Sequence, residues 1–268
     1  MHPPPFLFIM AMDWLMCTTT PGKRRGIRWT LLTTVLEDLV YADDVCLLSS
    51  RHRDMQGKTT VLETSSLKIS LKINPDKTKI LKMHNSVTTP ITIKEKAIEE
   101  VKEFTYLGSK MSCDGDCSID VKSRLAKAQH AFVKLKPVMS SSKCKTKTKL
   151  RIFKSNVLSV LLYGSETWKV TKAICHSLDV FQTRCLRRIF KIYWPNTISN
   201  EELLARSCLK PVSIEIQQRR WRWLGHILRM PSSSPPKIAL KWTPEGKRPR
   251  SRPKETWRRT IERERKKE

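Results

Sequence analysis

Two aspartates stand side by side at positions 43 and 44, between the apolar runs 39–42 and 45–48. β-Branched and aromatic residues favour strands and aspartate tolerates turns, so the pattern predicts a β-hairpin with Asp43 and Asp44 at its turn. Adjacent carboxylates repel each other unless a cation neutralises them. Magnesium suits such a pair, because it is a hard ion that proteins share with substrate phosphates and that assists nucleotide transfer. A plain turn without chemistry is the common alternative for two aspartates taken alone.

A second candidate metal site is the sequence Cys113-Asp-Gly-Asp-Cys117 with His130 downstream. Zinc would need four ligands, and neither a CxxC pair nor a second closely spaced histidine completes the set. The pattern therefore favours a glycine-containing surface turn. Cys46, Cys185 and Cys208 lie in apolar or helical patterns where a free thiol behaves as a small hydrophobic group. A chain of this size does not need disulfides for stability, so we expect no disulfide framework.

The chain of 268 residues carries 52 Lys and Arg side chains against 25 Asp and Glu, a formal net charge of +27. Residues 136–268 hold 32 basic and 10 acidic side chains, whereas residues 1–135 hold 20 and 15. The basic half should attract polyanions, and phosphate backbones are the commonest, because each neutralised phosphate releases counterions. A ribosome-like protein, an enzyme of nucleic acids and a binder of anionic membranes all fit this charge.

The most basic segment, residues 247–267, contains 11 basic and 3 acidic side chains. The prolines in the first half of this segment prevent a helix there, so that half should be extended until it binds a polyanion. Arginine binds phosphate bidentately and an indole can stack on bases, which favours nucleic-acid contact over a merely solvated tail. The side chains expected to make that contact are Arg248, Arg250, Arg252, Trp257, Arg258 and Arg259.

The hydrophobic pattern predicts an α+β protein whose first part is mixed and whose second part is helical. We expect a buried helix over 6–16, which is too short to span a bilayer and lacks the features of a signal peptide. Its position so close to Met1 suggests that the chain begins inside a domain. A helix over 54–72, a strand–turn–strand over 71–81, and a strand pair formed by 91–93 and 101–111 should follow the Asp43–Asp44 hairpin.

From residue 118 onward, apolar residues recur every three and four positions. Ser118 or Asp120 should cap the first helix and Pro137 should end it, and Ser199 with Glu202 fits a capping box. Further arginines surround the apolar face of the last helix, namely Arg219, Arg220 and Arg222. The predicted helices cover about 118–135, 147–163, 172–192, 200–208 and 212–229.

Short motifs follow one another along the chain in a fixed order. They are Pro5-Phe-Leu-Phe-Ile-Met-Ala-Met-Asp-Trp-Leu-Met16, Tyr41-Ala-Asp-Asp44, Leu71-Lys-Ile-Asn-Pro-Asp-Lys77-Thr-Lys79, Phe104-Thr-Tyr-Leu-Gly108, Leu161-Leu-Tyr-Gly-Ser-Glu-Thr-Trp168, Phe181-Gln-Thr-Arg-Cys-Leu-Arg-Arg188, Arg219-Arg-Trp-Arg-Trp-Leu-Gly-His226 and Arg252-Pro-Lys-Glu-Thr-Trp-Arg-Arg259. In order and spacing they resemble the reverse transcriptases of non-LTR retrotransposons of the RTE type. The resemblance spans nearly the whole chain. It implies a partial polymerase palm over 1–117, a helical thumb over 118–165, a helical C-terminal region over 166–230 and a basic, partly disordered tail over 231–268.

The same resemblance implies roles for individual residues. Asp43 and Asp44 would coordinate Mg²⁺, and Lys77 would sit near the triphosphate of an incoming dNTP. Tyr106, Leu107 and Gly108 would hold the primer end, with Gly108 letting the backbone approach closely. The partners of such an enzyme are an RNA template and a DNA primer, and no membrane is implied.

The chain also departs from the family pattern. A palm polymerase needs a further metal-binding aspartate upstream, and the only acids before Asp43 are Asp13, Glu37 and Asp38, none of which matches. The fingers and the N-terminal endonuclease domain are likewise expected to be absent. Because positioning is most of what this chemistry requires, we expect the chain alone to be inactive.

Two other interpretations stay open at this stage. One is a nucleic-acid-binding protein without catalysis, and the other is a decayed relic of a mobile element. For either, we expect a protein of the nucleus or cytoplasm that is not secreted and has no transmembrane segment. The run from Lys247 to Lys254 could serve as a nuclear signal.

Overall fold

The computed structural model of the protein describes residues 5–20, 22, 25–28, 35–83, 87–242 and 256–266. The chain forms two units. The first unit comprises Met1–Gly108, Ser112–Gly115 and Pro231–Pro244, and the second unit comprises Ser109–Met111, Asp116–Met230 and Glu245–Glu268. The α+β class predicted from the sequence is confirmed.

The helices of the described residues are α1 (Pro5–Thr19), α2 (His52–Lys68), α3 (Ser118–Lys134), α4 (Lys136–Ser140), α5 (Thr146–Ile152), α6 (Ser159–Leu161), α7 (Lys172–Phe190), α8 (Asn200–Ser207), α9 (Val212–Arg229), α10 (Pro235–Lys241) and α11 (Trp257–Arg265). A π-helical turn at Phe153–Leu158 joins α5 to α6, and a 3₁₀ turn covers Ser165–Thr167. The strands are β1 (Ile27–Arg28), β2 (Val35–Leu36), β3 (Asp38–Tyr41), β4 (Asp44–Leu47), β5 (Lys79–Ile80), β6 (Thr92–Ile93), β7 (Lys96–Ala97), β8 (Glu99–Glu100), β9 (Glu103–Tyr106) and β10 (Ser109–Ser112). They pair as β1–β2, β3–β4, β5–β8, β6–β7 and β9–β10.

In the first unit, α1 packs against α2. The predicted helix at the N-terminal end is confirmed, but the prediction that it is buried is wrong for much of its surface. Met12, Leu15 and Met16 are buried, whereas a second set of large apolar side chains is exposed: Phe6, Leu7, Ile9, Met10 and Trp14. A helix that is apolar all round has more apolar surface than one neighbouring helix can cover.

The short strands pair differently from the prediction. Residues 71–74 form no strand, and β5 instead pairs in parallel with β8. Strand β6 pairs with β7 across the two-residue turn Lys94–Glu95, and the predicted partner segment contains its own hairpin, β9–β10. Both turn residues, Lys94 and Glu95, have positive φ, as in the turns that best match strand twist. The hairpins β6–β7 and β9–β10 close small loops, which costs little entropy, whereas the β5–β8 pair joins segments about 20 residues apart.

The second unit has one apolar core that α3, the π-helical turn, α6, α7, α8 and α9 share. At its centre lie fully buried side chains such as Phe153, Leu178 and Ile216, and Phe132 meets Phe153 edge-on with ring centroids 5.9 Å apart. Four of the five helices predicted from the apolar periodicity are confirmed, as α3, α7, α8 and α9. The fifth, predicted over 147–163, is helical but is divided into α5, the π-helical turn and α6. Residues 118–165 and 166–230 therefore contribute to the same core.

The helix caps confirm one prediction and correct another. The Ser199 hydroxyl accepts a hydrogen bond from the Glu202 amide at 3.1 Å, as the capping box predicts. At α3 the N-cap is Cys117, without a side-chain cap. Asp120 is buried instead and accepts hydrogen bonds from Trp168 Nε1 at 2.8 Å and from the Lys110 amide at 2.9 Å.

Helix α3 ends at Lys134, shortly before Pro137, and two later helices carry prolines in their first turn. Pro137 lies in the first turn of α4, and α10 begins at a proline pair directly after Ser234. Proline fits the first helical turn, because its missing N–H would be unpaired there anyway. Within the described residues, we find no helix with the length and apolar character needed to cross a membrane.

Candidate functional site

The predicted hairpin around the two aspartates is present in the first unit. Strands β3 and β4 pair antiparallel with Tyr41 opposite Asp44 and Leu39 opposite Cys46. The turn consists of Ala42, whose φ is 52°, and Asp43. Asp44 is therefore the first residue of β4 rather than a turn residue. Both carboxylates are exposed at the tip.

The base of the hairpin is fixed by a buried lysine. Lys58 of α2 is 1% exposed, and its Nζ donates to the carbonyl oxygens of Glu37 at 3.0 Å and Leu48 at 2.7 Å. It also forms an ion pair with the Glu37 carboxylate, whose other oxygen accepts the Arg25 amide at 2.8 Å. These bonds hold the two strands at their open end, so the exposed tip projects from a fixed base.

The same environment perturbs two side chains within the hairpin. Burial raises the pKa of Asp38, although the Lys58 charge acts in the opposite direction. Burial, with the nearby charge of Asp38, also raises the pKa of the Cys46 thiol. In both groups burial disfavours the charged form.

Tyr106, at the end of β9, contacts the same hairpin. Its hydroxyl donates to the Leu39 carbonyl oxygen at 3.2 Å. Partial burial raises the pKa of Tyr106, and the charges of Cys46 and Asp44 raise it further. The structure thus brings together the Tyr41-Ala-Asp-Asp44 hairpin and the first residue of the predicted Tyr106-Leu107-Gly108 site.

The turn that follows Tyr106 has an unusual backbone. Leu107 has a φ of 46° and Gly108 a φ of 80°. Positive φ at both central residues defines the tight hairpin turn that usually carries Asn-Gly. Glycine adopts this conformation without strain, whereas leucine does not. Leu107 and Gly108 are both exposed.

The donor chemistry of Asp43 and Asp44 fits a magnesium ion in part. Mg²⁺ takes oxygen ligands and is commonly bound by one or two carboxylates together with substrate phosphates and water. In the portions of the chain that the structure describes, however, no cluster of three or more His, Cys, Asp or Glu side chains could hold a metal ion. The pair therefore fits an ion shared with a phosphate ligand rather than one enclosed by the protein.

Lys77 lies in a turn apart from this hairpin. The Asn74 side-chain oxygen accepts the amides of Asp76 at 3.0 Å and Lys77 at 3.3 Å, which fixes the turn. The Lys77 side chain is exposed. Among the described residues, no hydrogen bond or ion pair joins Lys77 to Asp43 or Asp44.

The predicted arginines of α9, in the second unit, have three different environments. Arg219 is held by the Glu215 carboxylate at 3.1 Å and the Leu162 carbonyl oxygen at 3.2 Å. Arg222 is 70% exposed and makes only long contacts, of 3.4 Å each. Arg220 is 1% exposed, forms an ion pair with Glu264 of α11, and so holds that helix in place.

The predicted nucleic-acid contacts of the tail also differ among themselves. Trp257 begins α11, and its Nε1 donates to the Glu166 carbonyl oxygen at 2.8 Å, so the indole is used in packing this helix. Arg258 is partly exposed and Arg259 is exposed. Arg248, Arg250 and Arg252 lie outside the described residues.

Sequence reasoning missed two features, one in each unit. Lys58 carries no signal, because its partners are backbone carbonyls that only the fold brings near it. A cleft of ≈ 590 Å³ in the second unit was also missed, although the i, i+3, i+4, i+7 spacing of its helical residues could have indicated it. Its lining consists of Glu166, Thr167, Arg219, Arg222, Trp223 and His226.

Comparison with known proteins adds independent information. Residues 1–111 match the family described as reverse transcriptase (RNA-dependent DNA polymerase), and residues 131–163 match a domain of unknown function, DUF6451. The chain is 24% identical over 219 residues to an uncharacterized transposon-derived protein of Caenorhabditis elegans, covering 78% of this chain and 77% of that protein. It is 26% identical over 161 residues to the Probable RNA-directed DNA polymerase from transposon BS of Drosophila melanogaster. That alignment covers 56% of this chain and 18% of the fly protein.

These matches support a reverse transcriptase of a transposon, which is the coarser part of what the motifs predict. Reverse transcriptases bind nucleic acid and in general use divalent metal ions. The family match ends at residue 111, so it includes the Asp43–Asp44 hairpin and the Tyr106–Gly108 turn.

Proposed function

We propose that this chain is the C-terminal portion of the reverse transcriptase of a non-LTR, RTE-type retrotransposon. Residues 1–117 would be a partial palm, 118–165 a thumb, 166–230 a C-terminal region and 231–268 a basic tail. The observation that carries the proposal is the bond from Tyr106 to Leu39, which joins two hairpins that resemble the catalytic and primer-holding elements of such enzymes. The order of the other motifs supports it.

In this proposal the exposed tip carries the chemistry. Asp43 and Asp44 would hold Mg²⁺, which when bound offsets the charge that develops on phosphate oxygens. The exposed Leu107–Gly108 turn would present the end of a DNA primer to the tip, and Gly108 would let its backbone approach. Lys77 would act as a charge partner for the triphosphate of the incoming dNTP.

We further propose that the chain alone is inactive. Of the three acids upstream of Asp43, Glu37 is paired with Lys58, and Asp38 lies opposite Leu47. The base of the hairpin is about 10 Å from its tip at ~3.4 Å per residue, so Asp38 cannot complete a site there. Asp13 lies on α1. An ion held by two carboxylates alone is poorly positioned, and positioning dominates this chemistry.

A primer-extension assay on an RNA template with Mg²⁺ tests this proposal. We expect binding of primer–template without measurable extension. Template-dependent incorporation by the wild-type chain that disappears in Asp43→Ala would overturn the claim of inactivity. Because Asp43 is exposed in a turn, this substitution should leave folding intact, and Asp54→Ala on α2 provides a matched control.

A second candidate is a nucleic-acid-binding protein without catalysis. The observation that favours it is the concentration of charge, 32 basic against 10 acidic side chains, in residues 136–268. Affinity should then fall steeply with salt and should be unchanged in Asp44→Ala. Unchanged affinity after deletion of residues 245–268 would contradict the tail as the main contact. A decayed relic would show neither activity nor selective binding.

We propose that the protein resides in the nucleus or the cytoplasm, and that the Lys247–Lys254 run can serve as a nuclear signal. A fluorescent fusion in which the basic residues of that run are replaced by alanine tests this. Nuclear accumulation that survives the replacement would contradict the assignment.

A further inference from the structure

The cleft in the second unit combines flat rings with a cation on one helical face. Arg219, Arg222, Trp223 and His226 follow one another on α9 at helical spacing, so their side chains lie on the same side. The 3₁₀ turn at Ser165–Thr167 supplies the opposite wall through Glu166 and Thr167. A volume of ≈ 590 Å³ lies within the range of small-molecule sites.

The two rings form a short stacking surface. The centroids of Trp223 and His226 are 5.7 Å apart, and their planes meet at 35°. Trp223 is half-buried and His226 is exposed, so one ring is held by the helix while the other faces solvent. Aromatic rings of this kind stack on nucleobases regardless of sequence, because every base has a π face.

Two arginines line the cleft, and their ion pairs indicate that Arg222 is the one that can bind a ligand. Glu166 also lines the cleft, and it lies 3.7 Å from Arg219, which Glu215 and the Leu162 carbonyl oxygen hold as well. These contacts occupy the Arg219 guanidinium, so it is not the arginine that we assign to a ligand. Arg222 is 70% exposed, and its contacts with other described residues are both 3.4 Å long, to Glu215 and to Gln218, so its guanidinium can turn toward a phosphate.

Helix α11 begins beside this cleft. Trp257 is fixed to the carbonyl oxygen of Glu166, a residue of the cleft wall. In the sequence, Trp257 directly follows the segment that contains Lys247, Arg248, Arg250, Arg252 and Lys254. Among the described residues, Arg258 and Arg259 follow Trp257 on α11. A ligand with several phosphates in a row would meet these further cations beside the cleft wall, whereas a mononucleotide would not use them.

We propose that the Trp223–His226 cleft binds an unpaired nucleotide of a single-stranded nucleic acid, with the base stacked on the two rings and the adjacent phosphate on Arg222. This inference rests on the nucleic-acid function proposed above and deepens it. A duplex is excluded from such a cleft, because its bases are already stacked and their faces are covered.

Fluorescence anisotropy with a labelled single-stranded oligonucleotide tests the proposal on the full chain. Trp223→Ala should weaken binding about tenfold, and Trp223→Phe should retain most of the affinity. Arg222→Ala should reduce the slope of log affinity against log salt by about 1. The matched control is Trp194→Ala, because Trp194 is 88% exposed on the loop after α7 and outside the cleft. Far-ultraviolet circular dichroism establishes that each variant is folded.

Three results would overturn the proposal. They are equal single-strand affinity in Trp223→Ala and wild type, loss of that affinity in Trp194→Ala instead, or an equal loss of duplex and single-strand affinity in Trp223→Ala. Primer–template duplex binding is measured in parallel. If the wild type binds primer–template but Trp223→Ala leaves single-strand affinity unchanged, only the cleft assignment fails. If the wild type binds neither ligand, the proposed function fails as well.

Discussion

The Tyr106 hydroxyl lies 3.2 Å from the Leu39 carbonyl oxygen and donates a hydrogen bond to it. Sixty-seven positions separate the two residues in sequence, so this bond depends on the tertiary fold of the first unit. It places the side chain before the Leu107–Gly108 turn against the strand that leads to Asp43.

Tyr106→Phe removes this bond and should lower the free energy of unfolding of the first unit by about 1 kcal/mol. Amide hydrogen exchange in β3 and β4 should become faster. Tyr41→Phe is the control, because Tyr41 is exposed at the hairpin tip. Equal exchange rates in Tyr106→Phe and wild type would show that the bond does not stabilise the hairpin.

Lys58→Met should be strongly destabilising, because it leaves the Glu37 carboxylate without its cation and two carbonyl oxygens without their donor. Removing one member of a buried pair costs about 3–5 kcal/mol. The urea midpoint of the first unit should fall accordingly. Lys96→Met removes an exposed ion pair with Asp76 and should leave the midpoint unchanged. Similar midpoints for the two variants would contradict the anchoring role of Lys58.

Arg220→Met should release α11 from the second unit. The variant leaves Glu264 buried without its partner, at a cost of about 3–5 kcal/mol. Replacing both residues, in Arg220→Met with Glu264→Leu, should restore part of the loss, since no charge remains buried. Hydrogen exchange of α11 measures the effect. Arg206→Met, which breaks the exposed pair with Glu202 on α8, is the control and should leave α11 unchanged.

The burial of Cys185 can be tested through the pH dependence of protein stability. Burial raises the pKa of its thiol to about 12, from 9.0 in the unfolded reference. The folded state thus favours the protonated thiol, so the contribution of Cys185 to stability is complete below pH 9 and is lost as the pH rises toward 12. Cys185→Ala should reduce the alkaline loss of stability, measured by urea unfolding between pH 8 and 11.

The same thiol should be protected from modification. At neutral pH a thiol reagent should label the exposed Cys17 and Cys208 in the native state, and Cys185 only after unfolding. Mass spectrometry of the labelled peptides distinguishes the sites. Labelling of Cys185 at the rate of Cys208 would contradict its burial.

The sequence predicts those helices and hairpins that are determined by residues near one another in the chain. The Asp43–Asp44 hairpin follows from strand-forming residues on both sides of a turn, and α7 and α9 follow from apolar periodicity. Strand pairing is less predictable, because β5 reaches β8 by a parallel connection that no local pattern marks. Asp120 illustrates the same limit for side chains: its position suits a cap, but a buried indole 48 positions away provides a better partner.

Buried cations are the least predictable part. Lys58 and Arg220 resemble the surface residues around them in sequence, yet both are 1% exposed. Their partners lie on other elements, so the assembled fold alone determines their burial. For Arg220 this changes its interpretation from a phosphate ligand to a structural residue, whereas Arg222, two positions later, stays available.

The exposure of Asp43 and Asp44 determines how readily these two positions accept substitutions during evolution. Substitution of Lys58 would be removed by selection for a folded protein, whatever the protein does. Substitution of either exposed aspartate costs the fold little, so stability exerts almost no purifying pressure on the pair. Selection for a folded protein would therefore let the two carboxylates change freely, and only selection on chemistry would hold both of them at the tip.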